Sequence, residues 1–402
     1  MHKCVCCIFF LVATNFLLSQ NSIIGTVLSA IDNKPIANAN IFVPNTTYGT
    51  TSNNEGYFEL QYVPYGNNDV IISCVGYSTV SYSYTGTQLP LKLTVVMPQK
   101  VNDATTITVM PIEKDGWEKW GKLFMDAYIG TTYNAQNCKL LNKEVLEFRY
   151  SKRTGELTVS ATDVIKIQNS ELGYTINHQL ELFSCNIPNK SVVVEGYPYF
   201  TPMETTKNRK IKRYSAAREV AYNGSMMHLI RSIYSNTITQ NGFVIRQYDT
   251  LVNYEKLRVK AIVATNKILK INSVTIDSTA YYNRVMQQPK YFIIIGKILE
   301  ANEICKIDTN SRDRKILHYN KSLYVEYKNE KQDERYYSTQ FMLHKTPYQT
   351  TKLIWVDPQK TLTITAYGNY ANALAIYLDG YMGWEKMADL LPLDYEVAVK
   401  EK

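Results

Sequence analysis

Histidine is scarce in this chain, five among 402 residues, which leaves few side chains for metal ligation or for proton transfer near neutral pH. A histidine-based enzyme is disfavoured from the start. Beyond the first twenty residues no run approaches the ~20 apolar residues that a crossing helix needs. Cys74, Cys138, Cys185 and Cys305 form no C-x-x-C pair, which argues against a zinc or redox knuckle, and their wide spacing selects none of the three possible pairings. They read as buried or partly buried thiols. No Gly-rich phosphate loop, internal repeat or low-complexity tract is present. What the chain does have is tyrosine, 32 residues, with 45% apolar and 20% charged residues overall. That balance excludes a disordered chain and a multi-span helical membrane protein. The length allows two or three domains at roughly 150 residues each.

The first twenty residues have the form of a secretory signal: Lys3, then an apolar run from Val5 to Leu18 interrupted only at Thr14 and Asn15. Cleavage is expected beside Ser19 or Gln20. Cys4, Cys6 and Cys7 lie before or at the start of the run, not after it, so a plain signal is expected and not a lipoprotein. The mature protein is expected to be exported, periplasmic or outer-membrane-associated, without a transmembrane helix. Nucleic acid is not an expected partner there, despite a formal charge of +8.

Residues 22–98 alternate short apolar stretches with turn signals. Ala39, Ile41 and Val43 share one strand face, as do Phe58 and Leu60, and then Val70, Ile72 and Cys74. Asp32-Asn33-Lys34-Pro35 and Asn53-Asn54-Glu55-Gly56 supply the turns. The string I-x-G-x-V at Ile23 to Val27, then Pro35-Ile36, Ala39, Ile41, Val43, Gly49-Thr50, Asn53, Gly56, Phe58, Val63-Pro64 and Ser73-Cys74-Val75-Gly76-Tyr77 resembles the carboxypeptidase regulatory-like domain. The resemblance implies a seven-stranded prealbumin-like (transthyretin-like) β-sandwich, a non-catalytic module at the front of exported Bacteroidota proteins, TonB-dependent receptors among them.

Residues 99–114 read as a linker. Asp115 then opens a helix carrying Trp117, Trp120, Phe124, Ala127 and Tyr128 at helical spacing, stopped by Gly130; a Trp stripe at this period is core sooner than a sugar platform. Strand patterns return from Leu146: Leu157 and Val159, Val164 to Ile167, Ile176 to Phe183 and Val192 to Val194, then Phe243 to Arg246, Phe292 to Leu299, Leu323 to Tyr327 and Leu362 to Tyr367. Met226, Leu229, Ile230 and Ile233 mark a helix capped by Ser225, and a closing helix is expected near Trp384 to Leu391. The strings LNKEVLEF, AYNGSMMHLIRS and GWEKMADLLPLDY resemble a group of exported Bacteroidota proteins known only by their front domain, which implies architecture and no activity. The expected fold is mainly β: the sandwich, then a larger β-rich α+β domain with a few helices over 115–402.

Three arrangements could carry chemistry. His178-Gln-Leu-Glu181 matches the H-x-x-E letters of a zinc carboxypeptidase, with His318 as a third ligand, but strand alternation would send His178 and Glu181 to opposite faces. Ser225 and His228 could pair as nucleophile and base, yet Ser225 reads as a cap and His228 as sharing a polar helix face with Arg231. Lys207, Arg209, Lys210, Lys212, Arg213 and Arg218 crowd a segment without acidic residues, a candidate polyanion-binding loop or simply a solvated one. No catalytic residue, metal ligand or cofactor is therefore assigned. The expected role is non-enzymatic binding of an envelope glycan, peptide or outer-membrane partner. The alternatives are an exported metallopeptidase-like hydrolase, or an outer-membrane β-barrel component, which the tyrosines favour and the helices and the charged end Lys400-Glu-Lys402 oppose.

Overall fold

The computed structural model describes residues 21–100, 110–269, 276–311, 313–339 and 347–397. The expected leader, most of the expected linker and the charged end lie outside the described residues. The molecule is mainly β and divides into two compact units: one runs to Ser225 and takes the chain back from Trp384 onward, the other is Met226–Gly383. The segment beyond residue 115 thus contributes to both.

The first unit begins with seven strands in two sheets. β1 (Ser22–Ser29), β2 (Asn40–Phe42), β3 (Gly49–Thr51), β4 (Tyr57–Gln61), β5 (Asn68–Ser73), β6 (Val80–Tyr84) and β7 (Leu91–Met97) sort as β4-β1-β7 and β3-β2-β5-β6. Period-two alternation puts Ile23, Val27, Ile41, Phe58, Leu60, Val70 and Ile72 into one core. Asn53 accepts from the Glu55 and Tyr57 amides in the turn before β4. Gly56 there takes φ +69°, where an added Cβ would stand 2.5 Å from the Val27 carbonyl oxygen, so no larger residue fits.

Next come α1 (Gly116–Tyr128), α2 (Tyr133–Gln136) and a six-stranded sheet of β8 (Cys138–Leu140), β9 (Leu146–Ser151), β10 (Glu156–Ala161), β11 (Ile165–Asn169), β12 (Tyr174–Asn186) and β13 (Ser191–Pro202). β12 is its spine: β13 pairs along the whole of one edge, while β11 takes residues 174–178 and β10 residues 183–186 of the other. α1 lays its aromatic stripe on this sheet. Phe124 meets Phe148 at 5.8 Å and Phe183 at 5.0 Å between ring centroids, and Trp120 lies 4.5 Å from Tyr150; the tryptophans are core-facing.

α3 (Asn208–Tyr222) closes this part. Its residues were expected in a loop; the backbone is helical because Tyr214, Ala221 and Tyr222 bury one side of it. A second correction concerns the end of the chain. Instead of a helix from Trp384 to Leu391, α9 (Tyr381–Trp384) stops there and only a 3-10 turn, Met387–Asp389, follows. The backbone groups of Ala388 are used tertiarily: its N–H donates to the Ile129 carbonyl (3.1 Å) and its carbonyl accepts from the Asn169 side chain (2.8 Å).

In the second unit, α4 (Met226–Ser235) precedes a five-stranded antiparallel sheet ordered β15-β14-β18-β19-β22 and a four-stranded one ordered β16-β17-β20-β21. The strands are β14 (Phe243–Val252), β15 (Tyr291–Ile298), β16 (Cys305–Ile307), β17 (Arg314–Leu317), β18 (Ser322–Lys331), β19 (Tyr348–Trp355), β20 (Leu362–Thr365), β21 (Tyr370–Ala371) and β22 (Ile376–Gly380). Leu229, Ile230 and Ile233 of α4 share one core with Ile245, Val325, Leu353, Leu317 and Ile364 from both sheets. Between β14 and β15 run α5 (Tyr254–Leu269) and α6 (Ile276–Gln287), and α7 (Ala301–Ile304) and α8 (Glu334–Thr339) are short. The strands beyond residue 115 lie in open sheets with edges, and no described helix is long and apolar enough to cross a membrane.

Phe124 is fully buried at the meeting of α1, β9 and β12. Phe124→Ala should cost about 3–5 kcal/mol of stability, the usual loss for a core aromatic, read from the shift in the urea unfolding midpoint with an unchanged slope.

Candidate functional site

Where the sandwich meets the six-stranded sheet, within the first unit, a cleft of about 460 Å³ opens. Asn38, Asn40 and Thr51 reach it from β2, β3 and the turn before them, Cys74 and Val75 from the end of β5, Asp163, Val164 and Lys166 from the start of β11, and Asn177, Tyr199 and Thr201 from β12 and β13. Each segment has a local reason to present a polar group. Asn38 takes φ +57°, a left-handed position that Asn tolerates. Asp163 accepts the Val164 amide at 2.7 Å, fixing the turn that enters β11. Asn177 is buried and donates to the Thr201 hydroxyl at 3.0 Å across the β12–β13 pair.

The walls are fastened to each other. Tyr199 stacks on Phe42 with centroids 4.2 Å apart, and its hydroxyl donates to Asn40 Oδ1 at 3.3 Å. The Asn45 amide donates to the Pro198 carbonyl (2.6 Å) and the Phe200 amide to the Thr46 carbonyl (2.9 Å). Thr79 donates to Glu181 at 2.9 Å. The returning C-terminal segment adds Leu393 N–H to the Asn45 carbonyl (2.6 Å) and Asp394, which accepts from the Thr47 amide at 2.9 Å. Such a cleft is preformed.

Its chemistry is that of hydrogen bonding. Burial pushes the Tyr199 phenol up to about 12, so it stays neutral, and burial also raises the Cys74 thiol, which keeps it from the thiolate form a nucleophile needs. Three carboxamides, two threonine hydroxyls and a phenol surround one carboxylate, Asp163, and one ammonium, Lys166. The set can grip a ligand dense in donors and acceptors; no histidine lines it.

The H-x-x-E letters do not converge. His178 is buried, its Nδ1 in a 2.5 Å hydrogen bond with the Tyr128 hydroxyl, while Glu181 is exposed and bonded to Thr79. His318 belongs to the other unit, its Nδ1 3.1 Å from the Lys360 carbonyl oxygen. Among the described residues no group of three His, Cys, Asp or Glu side chains could hold a metal ion. The four described cysteines are free thiols, Cys185 buried and the others half-buried.

Ser225 donates its hydroxyl to the Tyr222 carbonyl at 2.7 Å. His228 does not share a polar face with Arg231, as expected, but is buried with its ring 4.9 Å from Phe243 and 5.7 Å from Tyr327, and burial lowers its pKa to about 4. The six cations divide. Lys207, Arg209, Lys210 and Lys212 are exposed at the start of α3. Arg213 donates to the Ser170 carbonyl (2.6 Å), and Arg218 donates to the Leu172 carbonyl (2.8 Å) with its guanidinium 3.9 Å from the Tyr174 ring centroid. The last two anchor the helix to the β11–β12 turn. Sequence reasoning missed the cleft because its lining comes from separate segments; the one available signal was Asn177, a polar residue at a buried strand position.

Residues 23–109 match the CarboxypepD_reg-like domain family, so the sandwich is a domain of that kind. No curated protein matches the chain. Among solved structures the chain is similar to a cohesin–X-dockerin complex from Acetivibrio cellulolyticus (18% identity, 19% of this chain and 56% of that one, TM-score 0.18). It is also similar to a candidate carbohydrate-binding protein from Bacteroides uniformis (10% identity, 46% and 79%, TM-score 0.15). A third is a candidate membrane-associated protein of unknown function from Bacteroides fragilis (10% identity, 90% and 98%, TM-score 0.16). The chain spans little more than half the length of the first, 56%, and TM-scores this low transfer neither fold nor function.

Burial lowers the His178 pKa from 6.5 to about 3. A lowered histidine binds its proton more weakly folded than unfolded, so its contribution is complete above pH 6.5 and is lost as pH falls toward 3. At 1.36 kcal/mol per unit the loss is at most about 5 kcal/mol. Urea unfolding between pH 7 and pH 4 should show a steeper acid loss for the parent than for His178→Gln; equal slopes would place this histidine in contact with solvent.

Proposed function

We propose that the protein is an exported, non-enzymatic binding protein of the cell envelope, and that the cleft between the sandwich and the six-stranded sheet holds a glycan. The observation that carries this reading is the lining itself: Asn38, Asn40, Asn177, Thr201 and Tyr199 around the Asp163–Lys166 charges, on walls fixed by backbone hydrogen bonds. Sugar hydroxyls are both donors and acceptors, and carboxamides and carboxylates match them in pairs. A preformed site avoids the ordering cost that a mobile one would carry on binding. The CarboxypepD_reg-like front domain, a class of non-catalytic module by its resemblance, supports a binding role. Export rests on the leader-like first twenty residues.

The exposed cations of α3 are a second contact for an anionic envelope polymer. The helix has no side-chain cap at Lys207 and no acidic residue in its first turn, so its positive N-terminal end is burdened by Arg209 and Lys210 and not offset. Docked anion would relieve that repulsion, weakly and in a salt-sensitive way.

A glycan array followed by calorimetry on the best binder tests the cleft. A charge-assisted hydrogen bond is worth roughly 1.5–3 kcal/mol, so Asp163→Ala should weaken binding about tenfold or more while losing only about 1 kcal/mol of stability with its turn hydrogen bond. Binding unchanged in Asp163→Ala, or selective binding of peptides with no glycan retained, would count against this site. For the helix, Lys207, Arg209, Lys210 and Lys212 changed together to Ser should abolish low-salt retention on lipopolysaccharide, with Arg213 and Arg218 left in place to hold the fold. Equal retention of parent and variant at low and high salt would remove the helix from the binding surface.

A further inference from the structure

β15 is the edge strand of the five-stranded sheet, paired only to β14 in that sheet. Its sequence is Tyr-Phe-Ile-Ile-Ile-Gly-Lys-Ile, and the large apolar residues are exposed on both faces, from 38% at Ile294 to 58% at Ile293. On one face Phe292 stands opposite Leu251, itself 55% exposed, and on the other Ile293 stands opposite Thr250. Natural edge strands are kept short, charged, bulged or interrupted by proline, because a row of unpaired N–H and C=O groups invites another strand. Here the one charge on the strand, Lys297, is paired with Glu303, and the bulge between Ile295 and Ile298, three steps against two on β14, leaves Tyr291 to Ile295 regular.

A bilayer is a poor occupant, since an open backbone edge finds no hydrogen-bond partners in hydrocarbon. The nearby cations are also engaged: Arg258 with Glu255, Lys256 with the Met286 and Gln288 carbonyls, and Lys290 over the Tyr291 ring. The occupant therefore brings a strand. β15 is complementary to itself when two copies run antiparallel about a two-fold axis at Ile294. Ile293 then faces the partner's Ile295 on the regular stretch of each strand, and the paired ladder ends on either side at the bulge around Gly296 and Lys297. No charged residue lies within that ladder.

We propose that two copies of this chain associate through β15, joining their five-stranded sheets across a two-fold axis with self-pairing at Ile294. The inference is independent of the cleft. It is tested by sedimentation velocity on the full chain without its first twenty residues. The parent should sediment as a dimer. I294K, which sets two lysines face to face, should be monomeric with an unchanged thermal transition, and so should I294E; mixing the two should restore a heterodimer. A parent that stays monomeric at every concentration, whether or not it floats with anionic phospholipid vesicles, overturns the proposal. So does a dimer that persists in both charged variants, or a failure of the two folded variants to associate when mixed.

Discussion

The first unit depends on a single loop satisfying backbone groups on two sides. Between β2 and β3, Asn45 adopts a left-handed conformation, φ +61°, that points its N–H at Pro198 of β13 and its carbonyl at Leu393 of the returning chain end. Buried backbone groups must find partners, and these are found in segments distant in sequence. The sandwich, the long β12–β13 pair and the C-terminal segment consequently meet at one place. Phe42 and Tyr199 add apolar contact there, and Asp394 adds two acceptors for Thr47. The cleft beside this junction is shaped by the fastening, which accounts for polar walls without mobile arms.

The C-terminal segment gives the same lesson from the other end. Asp389 is buried, and burial raises its pKa, yet it accepts from the Thr132 hydroxyl at 3.0 Å and the Asn134 amide at 2.9 Å. Trp384 donates its indole N–H to the Thr131 hydroxyl at 2.9 Å. A polar anchor of this kind costs desolvation, offset only because its hydrogen bonds are made. It fixes where the segment lies more than it adds stability.

The sandwich was legible in the sequence because each strand is short, alternates with period two and ends at a turn whose residues have a mechanism: Asn53 and Gly56 behave as their chemistry requires. α1 was legible for the same reason at the helical period. The helix α3 was not, because Arg209 to Arg213 offer almost no apolar periodicity and its buried side rests on two tyrosines and an alanine. His228 was misplaced because a polar face presumes that one side of α4 meets water, whereas His228, Leu229, Ile230, Ser232 and Ile233 are all buried. The chain end read as a helix on spacing alone; tertiary partners for Ala388 outcompeted the helical ladder. The cleft left no signal beyond Asn177, since Asn40, Asp163 and Asn177 become neighbours only through the junction.

The central claim is that the sandwich, the six-stranded sheet and the chain end form one cooperative body with a fixed cleft. Native-state hydrogen exchange in the full chain tests it most directly at the amides of Asn45, Phe200 and Leu393, which bridge these three parts. The expected result is that they open only with the free energy of global unfolding, the same as Ile41 in the sandwich core. Exchange of these three at a much lower free energy, with Ile41 still protected, would contradict a fixed junction and with it a preformed site.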